Sequence, residues 1–252
     1  MTSLLVTTLA LTAIIAVRYV LIAWGVYALV WLRPAAKVAG VRLNSEAPKP
    51  AHMRYEMRLS LLSSWIYALP AAWAFEVWKH GGTLVYLDVS RYGIAWLFIS
   101  ALLFLVIQDT YYYWLHRLMH HPWLFRWVHA GHHRSRQPTP FASFAFDAAE
   151  AALSAWLPVA LVFVIPIHPA VILILLTVMT IAAVLNHSGW ELLPQGLVRG
   201  PVGAWLISAT HHSVHHTQYG KNFGLYFRVW DRLMGTDVMP PRDAAPRRRV
   251  TA

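Results

Sequence analysis

The sequence predicts an all-α, integral-membrane helical bundle with a cytoplasmic, histidine-rich helical region that binds metal. Three observations lead there. Hydrophobic residues make up 58% of the 252 residues and charged residues only 13%, against roughly 25% charged in soluble domains. Apolar runs recur at lengths near or above the ~20 residues of a membrane crossing. Histidine is concentrated, with 12 of its 14 copies between His116 and His216, in arrays whose spacing is helical.

The first apolar run, Leu4 to Leu32, carries a single charge, Arg18. It is too long for a signal-peptide core and lacks a basic start, so it reads as a retained helix. A charge near mid-span is costly in lipid, so Arg18 is expected to face the bundle interior or to snorkel. The polar segment 33–58 carries Arg33, Lys37, Arg42, Lys49, Arg54 and Arg58 against Glu46 and Glu56. Such a basic loop is cytoplasmic by the positive-inside rule, which puts the N-terminus outside. A second span is expected from about Leu59 to Trp78, then an outer loop with Gly81, Gly82 and Asp88. A third span starts near Tyr92 and returns inward by Gln108. Two shorter apolar stretches, Ala151 to Ile167 and Ala170 to Leu185, flank His168-Pro169 and suggest a tight hairpin. About four to five spans or hairpins result, with every histidine array on the cytoplasmic side. The chain so divides into membrane spans with their basic loop (residues 1–108), a catalytic region containing the hairpin (109–236) and a basic tail (237–252) with Arg247 to Arg249, expected to be disordered and to face lipid.

Three arrays carry the chemistry. His116 and His120 are four residues apart, which on a helix places both rings on one face. His129, His132 and His133 form the second array, and His212, His215 and His216 the third; in each, positions i, i+3 and i+4 are expected to make a tripod on one helical face. Eight neutral imidazoles packed together need many hydrogen-bond partners, whereas a metal satisfies them directly. A single tetrahedral zinc needs three or four ligands, so eight or nine rings suffice for two metals. Imidazole suits iron, zinc, copper and nickel alike, so ligand type does not choose among them.

Absences narrow the field. Cysteine is missing, which excludes disulfides, iron–sulfur clusters, thiolate-ligated haem and cysteine nucleophiles. No His-Glu-x-x-His occurs, so a zincin-type peptidase lacks its base. No Glu-x-x-His occurs, which excludes the carboxylate-rich site of ferritin-like bundles. No glycine-rich phosphate loop occurs. The net charge of +10 flanks apolar spans and forms no dense patch, which fits anionic lipid rather than nucleic acid.

Further positions stand out. His187, in Asn186-His-Ser-Gly, follows the last apolar stretch and joins the list of candidate ligands. Asp109 lies seven residues before His116 and is a candidate to accept the second N–H of a ligating histidine, with a plain helix-interior hydrogen bond as the alternative. His121 and His211 adjoin ligands but point about 100° away on a helix, toward the layer behind the ligands or toward solvent. His52, His80 and His168 fall outside the arrays and read as interfacial. Arg117, Arg134 and Arg136 flank the ligands and read as solvated interface residues, with a lipid phosphate or carboxylate as the alternative partner.

The order His-x-x-x-His, His-x-x-His-His, His-x-x-His-His, together with Asn222-Phe-Gly224 and Trp230-Asp-Arg-Leu-Met-Gly-Thr236, resembles the fatty acid hydroxylase/sterol desaturase superfamily over residues 109–236. The resemblance implies two iron ions held by His116, His120, His129, His132, His133, His187, His212, His215 and His216. It also implies O₂ as co-substrate, electrons from an external reductase and a membrane lipid as substrate. Thr139-Pro-Phe-Ala-Ser143 resembles the sterol C-5 desaturase branch, but that branch continues with two histidines and a proline where this chain has Phe144, Asp147 and Ala148. The expected reaction is therefore hydroxylation of a lipid C–H bond, with desaturation as the alternative, at a cytoplasmic site of a bacterial inner (plasma) membrane. A membrane zinc hydrolase and a metal transporter are the outside readings. The first needs a carboxylate base, for which Asp109, Asp147, Glu150 and Glu191 are the candidates; the second needs ligands inside the spans, whereas these lie almost wholly outside them.

Overall fold

A computed structural model describes residues 2–241. The basic run Arg247 to Arg249 lies outside the described residues. Four long helices and one shorter one form the body: α1 (Thr2–Val30), α2 (Pro50–Lys79), α3 (Ile94–Met119), α6 (Ala148–Val164) and α7 (Pro169–Asn186). Short helices α4 (Pro122–Val128), α5 (Ala130–His133), α8 (Gln195–Val198), α9 (Ala209–Thr217) and α10 (Val229–Leu233) build the histidine-rich region. The described residues contain one sheet, of two-residue strands β1 (Val41–Arg42) and β2 (Trp190–Glu191), antiparallel with Val41 opposite Glu191 and Arg42 opposite Trp190.

Three helices are long and apolar enough to cross a membrane by length and composition: Ser3–Val30, Ile94–Met119 and Pro169–Asn186. Large apolar side chains on them face outward, among them Leu21, Phe98 and Ile174, as lipid-facing helices require. The helix expected from about Leu59 starts nine residues earlier, at Pro50, where proline at the first helical position lacks only a donor that has no partner there. Its polar first half runs outside the apolar region, and α2 is not among the three helices apolar enough to cross. At the hairpin, α6 ends before Ile165 and α7 begins at Pro169, with His168 Nδ1 accepting from Ala170 N at 3.2 Å as a cap.

Helix α1 runs antiparallel to α2. Ser3 and Thr7 near its start donate to Glu76 near the end of α2. Tyr19, Ala23, Val26 and Val30 make a stripe on α1 that packs on Phe141, Val184 and Trp190. A second core joins α3, α6 and α7 through Phe104, Leu161, Ile165, Val171 and Leu175. The 3-10 turn Pro140–Phe144 lies beneath α1, α2 and α7, and its Phe141 carbonyl accepts from Tyr19 Oη at 2.9 Å and Ser60 Oγ at 2.8 Å.

Removing both donors, in a Tyr19→Phe, Ser60→Ala double variant, strips that buried carbonyl of its two side-chain hydrogen bonds. The expected loss is about 1–3 kcal/mol, read as a lowered midpoint of thermal unfolding in detergent. An unchanged midpoint would show that the turn is held by packing alone.

Candidate metal centre

Each array is delivered by the end of a structural element. His116 is in the last turn of α3, and His120 caps it. His129 caps α5, which carries His132 and His133. His187 caps α7, and His212, His215 and His216 lie on α9. The rings gather into two groups. His116, His120, His129, His133 and His215 each bring one nitrogen within 4.8 Å of the others, and His132, His187, His212 and His216 do the same.

The expected tripods do not hold together as such. His133 joins His129 while His132 turns to the second group, and His216 joins His212 while His215 turns to the first. Helix phase accounts for the split: residues four apart are offset by about 40°, whereas the residue three along lies about 60° the other way. Pairs at i, i+4 therefore share a group, and the i+3 residue bridges to its neighbour.

Hydrogen bonds behind the rings fix which nitrogen faces inward. His116 Nδ1 donates to Phe223 O at 2.9 Å, His132 Nδ1 to Ala145 O at 3.2 Å, His187 Nδ1 to Ala183 O at 2.8 Å and His215 Nδ1 to Lys221 O at 2.8 Å. His129 Nδ1 donates to the buried carboxylate of Glu150 at 2.7 Å. A carbonyl only accepts, so the Nδ1 atoms of His116, His132, His187 and His215 carry the proton, as His129 Nδ1 does with Glu150 ionised, and each Nε2 is left with a lone pair. Yet His132 Nε2 faces His187 Nε2 at 3.5 Å, and His116 Nε2 faces His129 Nε2 at 3.0 Å. Two lone pairs at such distances repel unless a cation lies between them. Imidazole nitrogens bound at about 2.1 Å to one metal, at angles from square to tetrahedral, are about 3.0–3.4 Å apart, so the donor set fits a metal in each group.

Burial keeps the rings neutral, as ligation requires. It holds His120 down to about 3 and His187 and His215 down to about 4, and it pushes His129, His132, His133, His212 and His216 further below the usual histidine range, with neighbouring rings adding to the effect.

Asp109 does not do what its spacing suggests. It accepts from the backbone N–H groups of Tyr226 and Phe227 at 2.7 and 3.0 Å, and the task of orienting His116 falls to Phe223 O. Asp109 thus holds the loop that orients His116. Three carboxylates that the spacing did not reveal act likewise. Glu150 orients His129 directly. Glu191 accepts from Thr210 N and Oγ1 at 3.0 and 2.8 Å and caps α9. Asp231 accepts from Phe223 N, Gly224 N and Thr236 Oγ1 at 2.7–2.9 Å. The signal available for Asp231 was its place in the Trp230–Thr236 motif; Glu150 and Glu191 offered only their rarity in a chain with 11 acids. Asp147 accepts from Gly131 N at 2.7 Å, and a Cβ on Gly131 would lie 2.2 Å from that carboxylate, so only glycine permits the approach. Asn222, at φ 57°, donates to His211 O and Val238 O.

Other expectations resolve individually. His121 is exposed, but His211, on α9 itself, is fully buried and not solvent-facing. His52 pairs with buried Glu56 at 3.0 Å. Arg134 and Arg136 are exposed, Arg134 lying 4.7 Å from the Tyr55 ring centre. Arg117 donates to Tyr113 Oη at 3.3 Å.

Above the histidines lies an apolar cavity of about 520 Å³ enclosed by α1, α2, α3, α6 and α7. His116, His132, His187 and His212 form part of its lining, which puts the candidate metal groups at one end of a lipid-sized space.

Fold and site together define a membrane-helix scaffold that presents paired histidine clusters to an apolar cavity. The family model described as "Fatty acid hydroxylase" matches residues 101–236, and the chain belongs to that family. Similar proteins include a Delta(7)-sterol 5(6)-desaturase of Gibberella zeae, 31% identical over 66% of this chain and 50% of its own length. A second Delta(7)-sterol 5(6)-desaturase, of Aspergillus fumigatus, is 29% identical over 76% of this chain and 64% of its own. Lathosterol oxidase of Rattus norvegicus is 33% identical over 70% of this chain and 58% of its own. The chain thus spans about half to two thirds of the length of these relatives. No solved structure matches it.

Glu150→Ala removes the partner of His129 and is expected to weaken metal binding in the first group about 10–100-fold. Elemental analysis after dialysis against a graded chelator series reads this; retention equal to the unsubstituted protein would contradict it. In the metal-free protein, rings held at about 3 to 4 when folded return to 6.5 when unfolded. Between those values the unfolded chain binds more protons, so stability falls as pH drops. Chelated protein is expected to lose unfolding free energy steadily from about pH 6.5 toward pH 4, and a flat profile there would contradict the assignment of neutral buried rings.

Proposed function

We propose that the chain is a membrane-bound oxidoreductase that holds two iron ions and uses O₂, with electrons from an external reductase, to oxidise a C–H bond of a membrane lipid. One observation carries this reading above the others: imidazole lone pairs that are fixed from behind and aimed at one another sit at the wall of an apolar cavity. His116, His120, His129, His133 and His215 would hold one ion, and His132, His187, His212 and His216 the other. Iron supplies the activation of O₂ and the removal of hydrogen.

The protein supplies the rest. The carbonyls of Phe223, Ala145, Ala183 and Lys221 and the Glu150 carboxylate hold the ring tautomers, so no reorganisation of ligands is needed during turnover. Phe104, Phe144 and Phe146 in the cavity wall exclude water and hold a hydrocarbon segment beside the histidines. A hydrolase would need a carboxylate free to act as base at the cavity, and no Asp or Glu lines it among the described residues. A transporter would need ligands at mid-membrane, whereas these cap the ends of α3 and α7. The six basic residues between Arg33 and Arg58 support a cytoplasmic metal site with the N-terminus outside; the membrane itself we read as a bacterial inner (plasma) membrane. Residues 109–236, which carry all nine histidines of the two groups, are read as the catalytic region.

The outcome of the reaction depends on sub-ångström placement of the substrate radical. Hydroxylation is the first reading, because Phe144 and Asp147 stand where the sterol C-5 desaturase branch has histidines, and Asp147 is spent on Gly131 N. Desaturation is the second, favoured by the desaturase names of the relatives. Membranes containing the protein, given ¹⁸O₂ and a reductant, are expected to yield a lipid carrying one ¹⁸O. A lipid lighter by two hydrogens and unlabelled would establish the second reading, and no oxidised lipid in any extract would refute both.

A further inference from the structure

Arg18 is not used by the chemistry above. It lies at mid-helix in α1, on the face shared with Leu11 and Ile15, which line the same cavity. Residues four and three apart keep to one helical face, so Arg18 is directed inward by its register and does not face lipid. Its Nε is buried without a hydrogen-bond partner. None of the ion pairs among the described residues includes it. The cavity lining contains no other Lys or Arg and no Asp or Glu among the described residues. The other polar groups of that lining are neutral, and two of them, Gln108 Oε1 and Ser143 Oγ, are themselves buried and unpartnered, in residues only 8% and 1% exposed.

A guanidinium directed into an apolar cavity, with no carboxylate to balance it, is costly. The cost is recovered if the ligand brings the counter-charge. A guanidinium binds a carboxylate through two parallel N–H···O bonds, and charge-assisted bonds of this kind are about twice as strong as neutral ones. A neutral hydroxyl would leave the charge unbalanced. A phosphodiester headgroup is bulky and strongly hydrated, and the wall around Arg18 is built of Leu11, Ile15 and Phe144.

We infer that Arg18 is the residue that recognises the polar end of the substrate, and that the substrate is a lipid bearing a carboxylate, such as a long-chain acid, rather than a neutral lipid. The inference rests on the reading of the cavity as the lipid site. Arg18 is a specificity-determining residue that acts on the ligand and not on the metal ligands.

The test uses the full chain in nanodiscs of neutral lipid, with palmitate and hexadecanol as matched probes. Binding of each is compared between the unsubstituted protein and Arg18→Gln, so that partition into the bilayer cancels in the ratio. Palmitate is expected to weaken about tenfold or more in the variant and hexadecanol by less than about twofold, with Arg18→Lys falling between. Equal loss of both probes, no loss of either, or binding of cholesterol that exceeds palmitate and ignores the substitution would overturn the inference. A second measurement needs no variant: a palmitate analogue with a photoreactive group beside its carboxyl is expected to label α1 around Arg18, and labelling confined to other elements, or none, would overturn the inference as well. Both readouts are binding alone. A chain that binds palmitate through Arg18 and oxidises no lipid under ¹⁸O₂ would refute the oxidase reading and leave this one standing; the reverse result would do the opposite.

Discussion

Five imidazoles whose outer nitrogens are locked by four backbone carbonyls and one carboxylate cannot turn their inner lone pairs away from each other. That constraint organises the rest of the molecule. The rings are buried, so water cannot relieve the repulsion, and protonation is suppressed by the same burial. A cation in each cluster removes the conflict directly. Every element that ends at the site is held by a further interaction: α9 by Glu191, the 222–224 loop by Asp231, the 226–227 backbone by Asp109, and α5 by Asp147 through Gly131. A chain poor in acids spends several of them on backbone N–H groups around one site.

The membrane helices give that site its environment. Histidines at the ends of α3 and α7 stand where the apolar helices end, and His116 and His187 also line the apolar cavity, so the histidine groups open onto the apolar interior. The Pro140–Phe144 turn joins the two parts. Tyr19 and Ser60 bind its backbone from α1 and α2, and it leads through Ala145, whose carbonyl holds His132. Displacement of α1 or α2 would therefore be felt at the second histidine group.

Much of the site was legible in the sequence, and the reasons differ by residue. The nine histidines were identifiable because a ligand set must recur at helical spacing, and all nine converge. Their division was not read, although helix phase contains it: the expectation of a tripod treated i+3 and i+4 as equivalent. Asp109 was placed correctly on the helix face below His116, but spacing along one helix says nothing about a loop more than a hundred residues away, and Tyr226 and Phe227 claim its carboxylate. Glu150 and Glu191 were hidden for the same reason, since their partners are set by tertiary contact. The helix starting at Pro50 was shortened in the sequence reading because apolarity marks where lipid begins and not where a helix does. Arg18 was read as turned inward or snorkelling; only the shape of the cavity shows what it is turned toward.

The central claim is that two metal ions are held separately by the two histidine groups. Anaerobic titration of the metal-free, detergent-solubilised chain with ferrous iron, followed by elemental analysis, tests it most directly. Two irons per chain are expected, falling to one when His187 and His212 are both replaced by alanine. A plateau at one iron or fewer in the unsubstituted protein, or activity sustained by zinc alone, would contradict the account.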